Sequence, residues 1–336
     1  MLWSRIAVVM AIQLVMSYLL GRIFIPIFRR LKTGRYEPYI GDRFKTDGSE
    51  PSFGGVCYWL VFALGAAAAA SFCVSSQLFA AALYSLAVMA AGMFDDIMTD
   101  VQGKSYGVKS GAKLGFCYIA SLIYIFVCLR SGWVDTAVML PFRLGTIDFG
   151  MAFCPVTAAA MTVIIYGFRA LNRFGTDDES CIGGLIQVVA FVSGLGIAVV
   201  GVVSENDTLL SYGYICAAAG LGAMVWGLSP SKQRSGSSGG FVIGALMAAS
   251  LGFTSFYQLA LVLLFLAAYV DGICSGIQYL WYLRTKKLLL KGSSFHMHLS
   301  AKGMSDYKVM IIFAAVSLAG AIAAAAIVIY GQKTYF

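Results

Sequence analysis

Charge is what this sequence has least of. Only 12% of its 336 residues are Asp, Glu, Lys or Arg, against about 25% in a soluble domain. In contrast, 60% are hydrophobic and the mean hydropathy is +0.81. That balance excludes an ordinary water-soluble enzyme. No long polar block marks a second unit, so one integral membrane domain over 1–336 is expected. Paired cysteine motifs are missing as well. The eight cysteines (Cys57, Cys73, Cys117, Cys128, Cys154, Cys181, Cys216 and Cys274) show no CxxC or Cys/His spacing. Most lie in apolar runs, where a thiol is a small hydrophobe. Residues 1–27 offer no small-residue cleavage site and are too long for a signal-peptide core. They are expected to form the first span.

What is present is a succession of apolar segments long enough to cross a bilayer. They fall near 3–26, 52–74, 77–94, 111–130, 151–170, 182–203, 209–227, 239–254, 256–283 and 308–330. The eighth is short and Gly-rich. The ninth is long enough to be tilted or broken, and it carries Asp271 inside. The basic residues collect in alternate loops: Arg29, Arg30, Lys32, Arg35, Arg43 and Lys45 in the first, and Arg284, Lys286, Lys287, Lys291 and Lys302 before the last span. The positive-inside rule makes those loops cytoplasmic and both termini external. It also accounts for the net charge of +8 through anionic lipid rather than nucleic acid. The stretch 138–150, with Pro141 and Gly145 between short apolar runs, predicts a small external β-hairpin. The expected fold is therefore an all-α polytopic membrane protein of about ten transmembrane helices.

Most acids and both histidines lie on the same side as the basic loops. The third apolar run ends in Gly92-Met-Phe-Asp-Asp-Ile-Met-Thr-Asp100. Adjacent carboxylates Asp95 and Asp96 at a helix C-terminus oppose its dipole, so a cationic partner is expected, and Mg²⁺ is one that takes one or two carboxylates. The alternative is a solvated helix end. Asn172-Arg-Phe-Gly-Thr-Asp-Asp-Glu179 joins the fifth and sixth runs, and Asp177, Asp178 or Ser180 there would serve equally as an N-cap. The small-residue loop Ser235-Gly-Ser-Ser-Gly-Gly240 opens onto a helix N-terminus, where backbone N–H groups hold anions. No Gly-Lys-Ser/Thr follows, so it is not a P-loop. His296 and His298 could meet phosphate or shuttle a proton, but an HxH pair alone is a poor metal site. Asp271 at mid-helix demands a buried partner.

Taken in order, these pieces resemble the polyprenyl-phosphate N-acetylhexosamine-1-phosphate transferases, and within them the phospho-N-acetylmuramoyl-pentapeptide transferases. Glu50-Pro-Ser-Phe-Gly-Gly55 is similar to the end of that family's first cytoplasmic loop. Met93-Phe-Asp-Asp-Ile97 resembles its paired-aspartate motif, and Gly107–Leu114 the approach to its span-4 lysine, which falls on Lys113. Ala170-Leu-Asn172 resembles the start of its Asn-Leu-Thr-Asp-Gly-Leu-Asp-Gly motif. Ser229–Gly239 and Phe295–Asp306 resemble its Met-Gly-Asp-Thr-Gly and histidine loops. The resemblance implies a bacterial cytoplasmic-membrane enzyme, active face inward. It would transfer phospho-MurNAc-pentapeptide from a UDP carrier to undecaprenyl phosphate with Mg²⁺, and a homodimer is a further expectation. It implies Asp95, Asp96 and Asp178 as catalytic acids and Asp95, Asp96 and Asp177 as metal ligands. Lys113, Asn172, His296 and His298 become substrate contacts. The chain departs from the pattern at two acids: Gly175 and Ser237 stand where the family carries aspartate. A paralogue that binds polyprenyl phosphate or nucleotide sugar without turnover is therefore the alternative. A transporter using Asp271 is disfavoured because the acids crowd one face.

Overall fold

The computed structural model describes residues 2–30, 51, 53–70, 75–98, 107–141, 144–172, 182–228, 231–292 and 294–335. Twelve α-helices of six residues or more follow one another among them: α1 Leu2–Arg29, α2 Gly54–Ala69, α3 Ser76–Asp96, α4 Ser110–Arg130, α5 Phe153–Leu171, α6 Leu185–Val203, α7 Asp207–Gly227, α8 Gly236–Ala249, α9 Gln258–Leu264, α10 Leu266–Thr285, α11 Phe295–Ser300 and α12 Asp306–Tyr335. Among the described residues eight helices are long and apolar enough to span a membrane. The bent pair α9–α10 makes a ninth, and α2, at 16 residues, is a shorter apolar helix. The protein is an all-α multi-pass membrane protein.

Among the described residues nine of the ten apolar runs thus correspond to a helix or bent helix pair of spanning length and the second to the shorter α2, and their irregularities have physical reasons. The ninth breaks at Phe265, with a bend of 66° between α9 and α10. The eighth, Gly236–Phe253, is buried at every residue. Its glycines, serines and alanines let α2, α3 and α5 pack around it, since close helix approach in a membrane favours small residues. On the outer ring, α4 lies against α3 and α5. The pair α6–α7 bridges to α12 on one side and to α1 and α2 on the other. Ile119, Ile123, Ile311 and Ile322 are each more than half exposed, as lipid-facing positions on α4 and α12 should be, because lipid is as apolar as the side chains it meets.

Two polar ties fix the ring. Gln13, fully buried in α1, donates its amide to the carbonyls of Val61 (3.2 Å) and Ile215 (3.1 Å), joining α1 to α2 and α7. Asn206 caps α7 by accepting the Leu209 N–H and donates to the Phe253 carbonyl at 2.8 Å. The hairpin is present between α4 and α5. Strand β1, Ala137–Met139, pairs antiparallel with β2, Thr146–Asp148, and Ala137 faces Asp148 in the register.

Candidate functional site

The paired aspartates terminate α3, and each is turned toward a helix that offsets its poor position. At the C-terminal end of α3 the macrodipole disfavours a carboxylate, and at the N-terminal end of α4 it disfavours Lys113. The two meet instead. Lys113 Nζ donates to both Asp95 oxygens at 2.9 Å, with both residues buried. The Asp95 carboxylate also accepts the Val108 N–H (2.9 Å) and the Ser237 hydroxyl (3.0 Å). Asp96, with no exposure, reaches the start of α8, where the backbone N–H groups of Ser237 (2.7 Å) and Ser238 (2.8 Å) donate to its two oxygens.

The small-residue loop therefore does hold an anion at a helix N-terminus, as its composition suggested, but the anion is the protein's own Asp96. This corrects the expectation of a phosphate cradle at Ser235–Gly240: the two N–H groups best placed for a ligand are occupied. The arrangement needs backbone-close contact, and glycine provides it. A Cβ on Gly92 of α3 would come within 2.8 Å of Ser238 Cα and 2.9 Å of the Ser237 carbonyl. A Cβ on Gly55 of α2 would stand 2.4 Å from the Gly239 nitrogen. The segment entering α2 is stitched to the same loop: Arg234 N–H donates to the Pro51 carbonyl, Gly54 N–H to Arg234 and Gly55 N–H to Ser235.

Asn172 ends α5 beside this junction and donates its amide to the Gly236 carbonyl. It lines a small open cleft with Gln187, Gln233, Arg234 and Ser235. Gln187 donates to the Ser235 hydroxyl at 2.7 Å. Arg169, in the last turn of α5, lies 5.4 Å from the Phe241 ring and acts by its charge on Asp95.

The histidines form a second cluster. His296 is buried on α11, and its Nδ1 lies 2.9 Å from Asp271 Oδ2, while its backbone N–H donates to Asp271 Oδ1 at 3.0 Å. The Ser294 hydroxyl is 3.0 Å from the same ring nitrogen. Asp271, fully buried on α10, thus has the interior partner that its mid-helix position demanded. His298 is half-buried and accepts the Lys291 N–H at 3.1 Å through Nδ1. Burial first, then the Lys302 and Lys291 ammoniums, holds its imidazole below the usual histidine range.

The structure thus brings Asp95, Asp96 and Lys113 together, sets Asn172 against the same loop, and pairs His296 with Asp271. Asp177, Asp178 and Gly175 lie outside the described residues. Arg169 and Gln187 were not singled out in advance. Gln187 had a signal: it is the one long polar side chain in the apolar α6 sequence. Arg169 was visible only as a charge at a span border.

The described residues do not fit Mg²⁺. The ion demands near-octahedral oxygen ligands at about 2.0–2.1 Å, whereas the Lys113 ammonium straddles the open edge of Asp95 and both Asp96 oxygens accept backbone N–H groups. Among the described residues no three His, Cys, Asp or Glu side chains gather into a group able to hold a metal ion.

No protein-family model matches the chain. Curated proteins do, nearly end to end. The phospho-N-acetylmuramoyl-pentapeptide-transferase of Geobacillus thermodenitrificans is 25% identical over 319 residues, 93% of this chain and 94% of that protein. Those of Halalkalibacterium halodurans and Clostridium perfringens are each 24% identical, over 95% of this chain and 96% and 97% of their own lengths.

Proposed function

We propose that this chain, a divergent member of the phospho-N-acetylmuramoyl-pentapeptide-transferase family, carries out the reaction its relatives are named for at the cytoplasmic face of a bacterial inner membrane. A phosphate oxygen of undecaprenyl phosphate attacks the sugar-linked phosphorus of UDP-MurNAc-pentapeptide. The bond from that phosphorus to the UMP oxygen breaks, and UMP leaves. Such transfer depends on positioning and charge stabilisation rather than on covalent chemistry by the protein. The observation that carries the reading is the buried Asp95–Lys113 pair held against α8 at the C-terminal end of α3. It brings together side chains from three sequence motifs that occur in the order the relatives have them. Lys113 holds Asp95 in place, Arg169 beside it supplies positive charge for phosphate, Asn172 faces the adjoining cleft, and the basic loops draw in both anionic substrates.

A second reading has its own observation. Asp95 already accepts four hydrogen bonds from internal donors and each Asp96 oxygen accepts a backbone N–H, while Ser237 stands where the resemblance implies an acid. In this reading the chain binds polyprenyl phosphate or nucleotide sugar without turning it over. The purified protein with UDP-MurNAc-pentapeptide and undecaprenyl phosphate, followed by UMP release, separates the two. Turnover above an Asp95→Asn control supports the transferase. None above that control, with lipid-phosphate binding retained, supports the binding paralogue.

A further inference from the structure

Among the described residues the charges at the junction of α3, α4 and α8 balance. Asp95 and Asp96 bring two negative charges. Lys113 brings one positive charge in direct contact, and Arg169 brings a second that acts on Asp95. The N-terminus of α8 adds roughly half a charge. Every Asp95 and Asp96 oxygen accepts at least one hydrogen bond, and all the donors come from the chain itself. Ser237 takes part twice, through its N–H on Asp96 and its hydroxyl on Asp95. A longer acidic side chain at that position would press a third carboxylate against the pair and create a need for an added cation. Serine removes that need.

We infer that Lys113 is the resident cation of this site: its ammonium, with the Ser237 hydroxyl, occupies the coordinating edge of Asp95, so the junction assembles without a divalent metal on that carboxylate. Buried carboxylates without a cation are costly, and here Lys113 meets that requirement permanently. The inference concerns how the pair is neutralised and holds under either functional reading.

Mn²⁺ is the probe. The full-length protein in detergent, stripped with a chelator, is titrated with MnCl₂, and free ion is counted by electron paramagnetic resonance. Melting is followed in parallel with MgCl₂. The expected result is no sub-millimolar Mn²⁺ binding, or binding indifferent to Asp95→Asn, and a melting midpoint that Mg²⁺ does not move. Sub-millimolar Mn²⁺ binding that Asp95→Asn abolishes overturns the inference. Lys113→Met supplies the converse arm. With the ammonium gone, Mg²⁺ is expected to raise the midpoint of that variant, and a midpoint indifferent to Mg²⁺ would count against the assigned role of Lys113. If Lys113→Met does not fold, the wild-type titration decides alone. UMP release is not part of this readout, so a failed transferase assay leaves it intact.

Discussion

Removing the Asp96 carboxylate tests whether it is structural glue or a free catalytic group. Asp96→Ala deletes two short hydrogen bonds, from Ser237 and Ser238 N–H, and leaves both donors buried at the start of α8. A buried donor stripped of its partner costs about 1–3 kcal/mol. The two together come to about 2–6 kcal/mol on the same scale, with some of that recovered if water enters. Asn keeps one acceptor oxygen but turns an amide N–H toward the other donor, so Asp96→Asn should lose roughly half as much. Since 1 kcal/mol moves the midpoint of a domain of about 150–250 residues by roughly 2–4 °C, Asp96→Ala should melt several degrees below wild type. Asp96→Asn should fall between them. Intrinsic tryptophan fluorescence on the detergent-purified protein reads this directly. A free catalytic carboxylate behaves oppositely, with melting unchanged and activity gone. If both variants melt with wild type, the account of Asp96 as the cap of α8 is wrong.

Three further expectations follow from the same geometry. Lys113→Met leaves Asp95 buried beside α8 and should cost about 3–5 kcal/mol, whereas pairing it with Asp95→Leu should restore much of the loss, because an apolar pair can replace a buried ion pair at little cost. Chemical unfolding of the single and double variants checks it, and a double variant no better than Lys113→Met refutes it. Gly92→Ala puts a methyl against Ser238 Cα and the Ser237 carbonyl and should destabilise by about 1–3 kcal/mol, visible as a lowered midpoint. The pH dependence follows from His298, whose folded-state affinity for protons is lowered by burial and by Lys302 and Lys291. In the unfolded chain it protonates near pH 6.5, so the unfolded state binds more protons below that pH. Stability should fall as the pH drops through about 6.5 and be flat above it. His298→Gln should remove that component. Melting curves of both proteins at roughly pH 7.5 and 5.5 test it, and parallel pH responses would refute it.

Much of the fold was legible because the spans are written in hydropathy. Every apolar run holds a helix among the described residues, nine of them of spanning length, the long ninth is broken, and the hairpin near 138–150 is present. The pairing of Asp271 was legible in kind, because a charged group at mid-helix requires a partner. That His296, 25 residues away, is that partner was not. The aspartate pair stood out for the same reason, a charge in an unfavourable place. What it faces could not be read, since the α8 donors lie 141 and 142 residues further along the chain. The loop at Ser235–Gly240 had the composition of an anion site. Composition cannot say whether the anion arrives from outside or from another helix of the same chain.

The helix around which this site is built has a consequence for how the protein is made. Of the eight long apolar spans, Gly236–Phe253 has the lowest hydropathy, 1.4, and is the one wholly enclosed by its neighbours. On its own it would be the segment least willing to remain in lipid, and its N-terminus needs the Asp96 carboxylate of a helix synthesised much earlier. A nascent chain ending before it holds α2, α3 and α5 around an unfilled slot. Seating α8 is thus the step that fills the slot, and Asp96 is the latch that closes behind it.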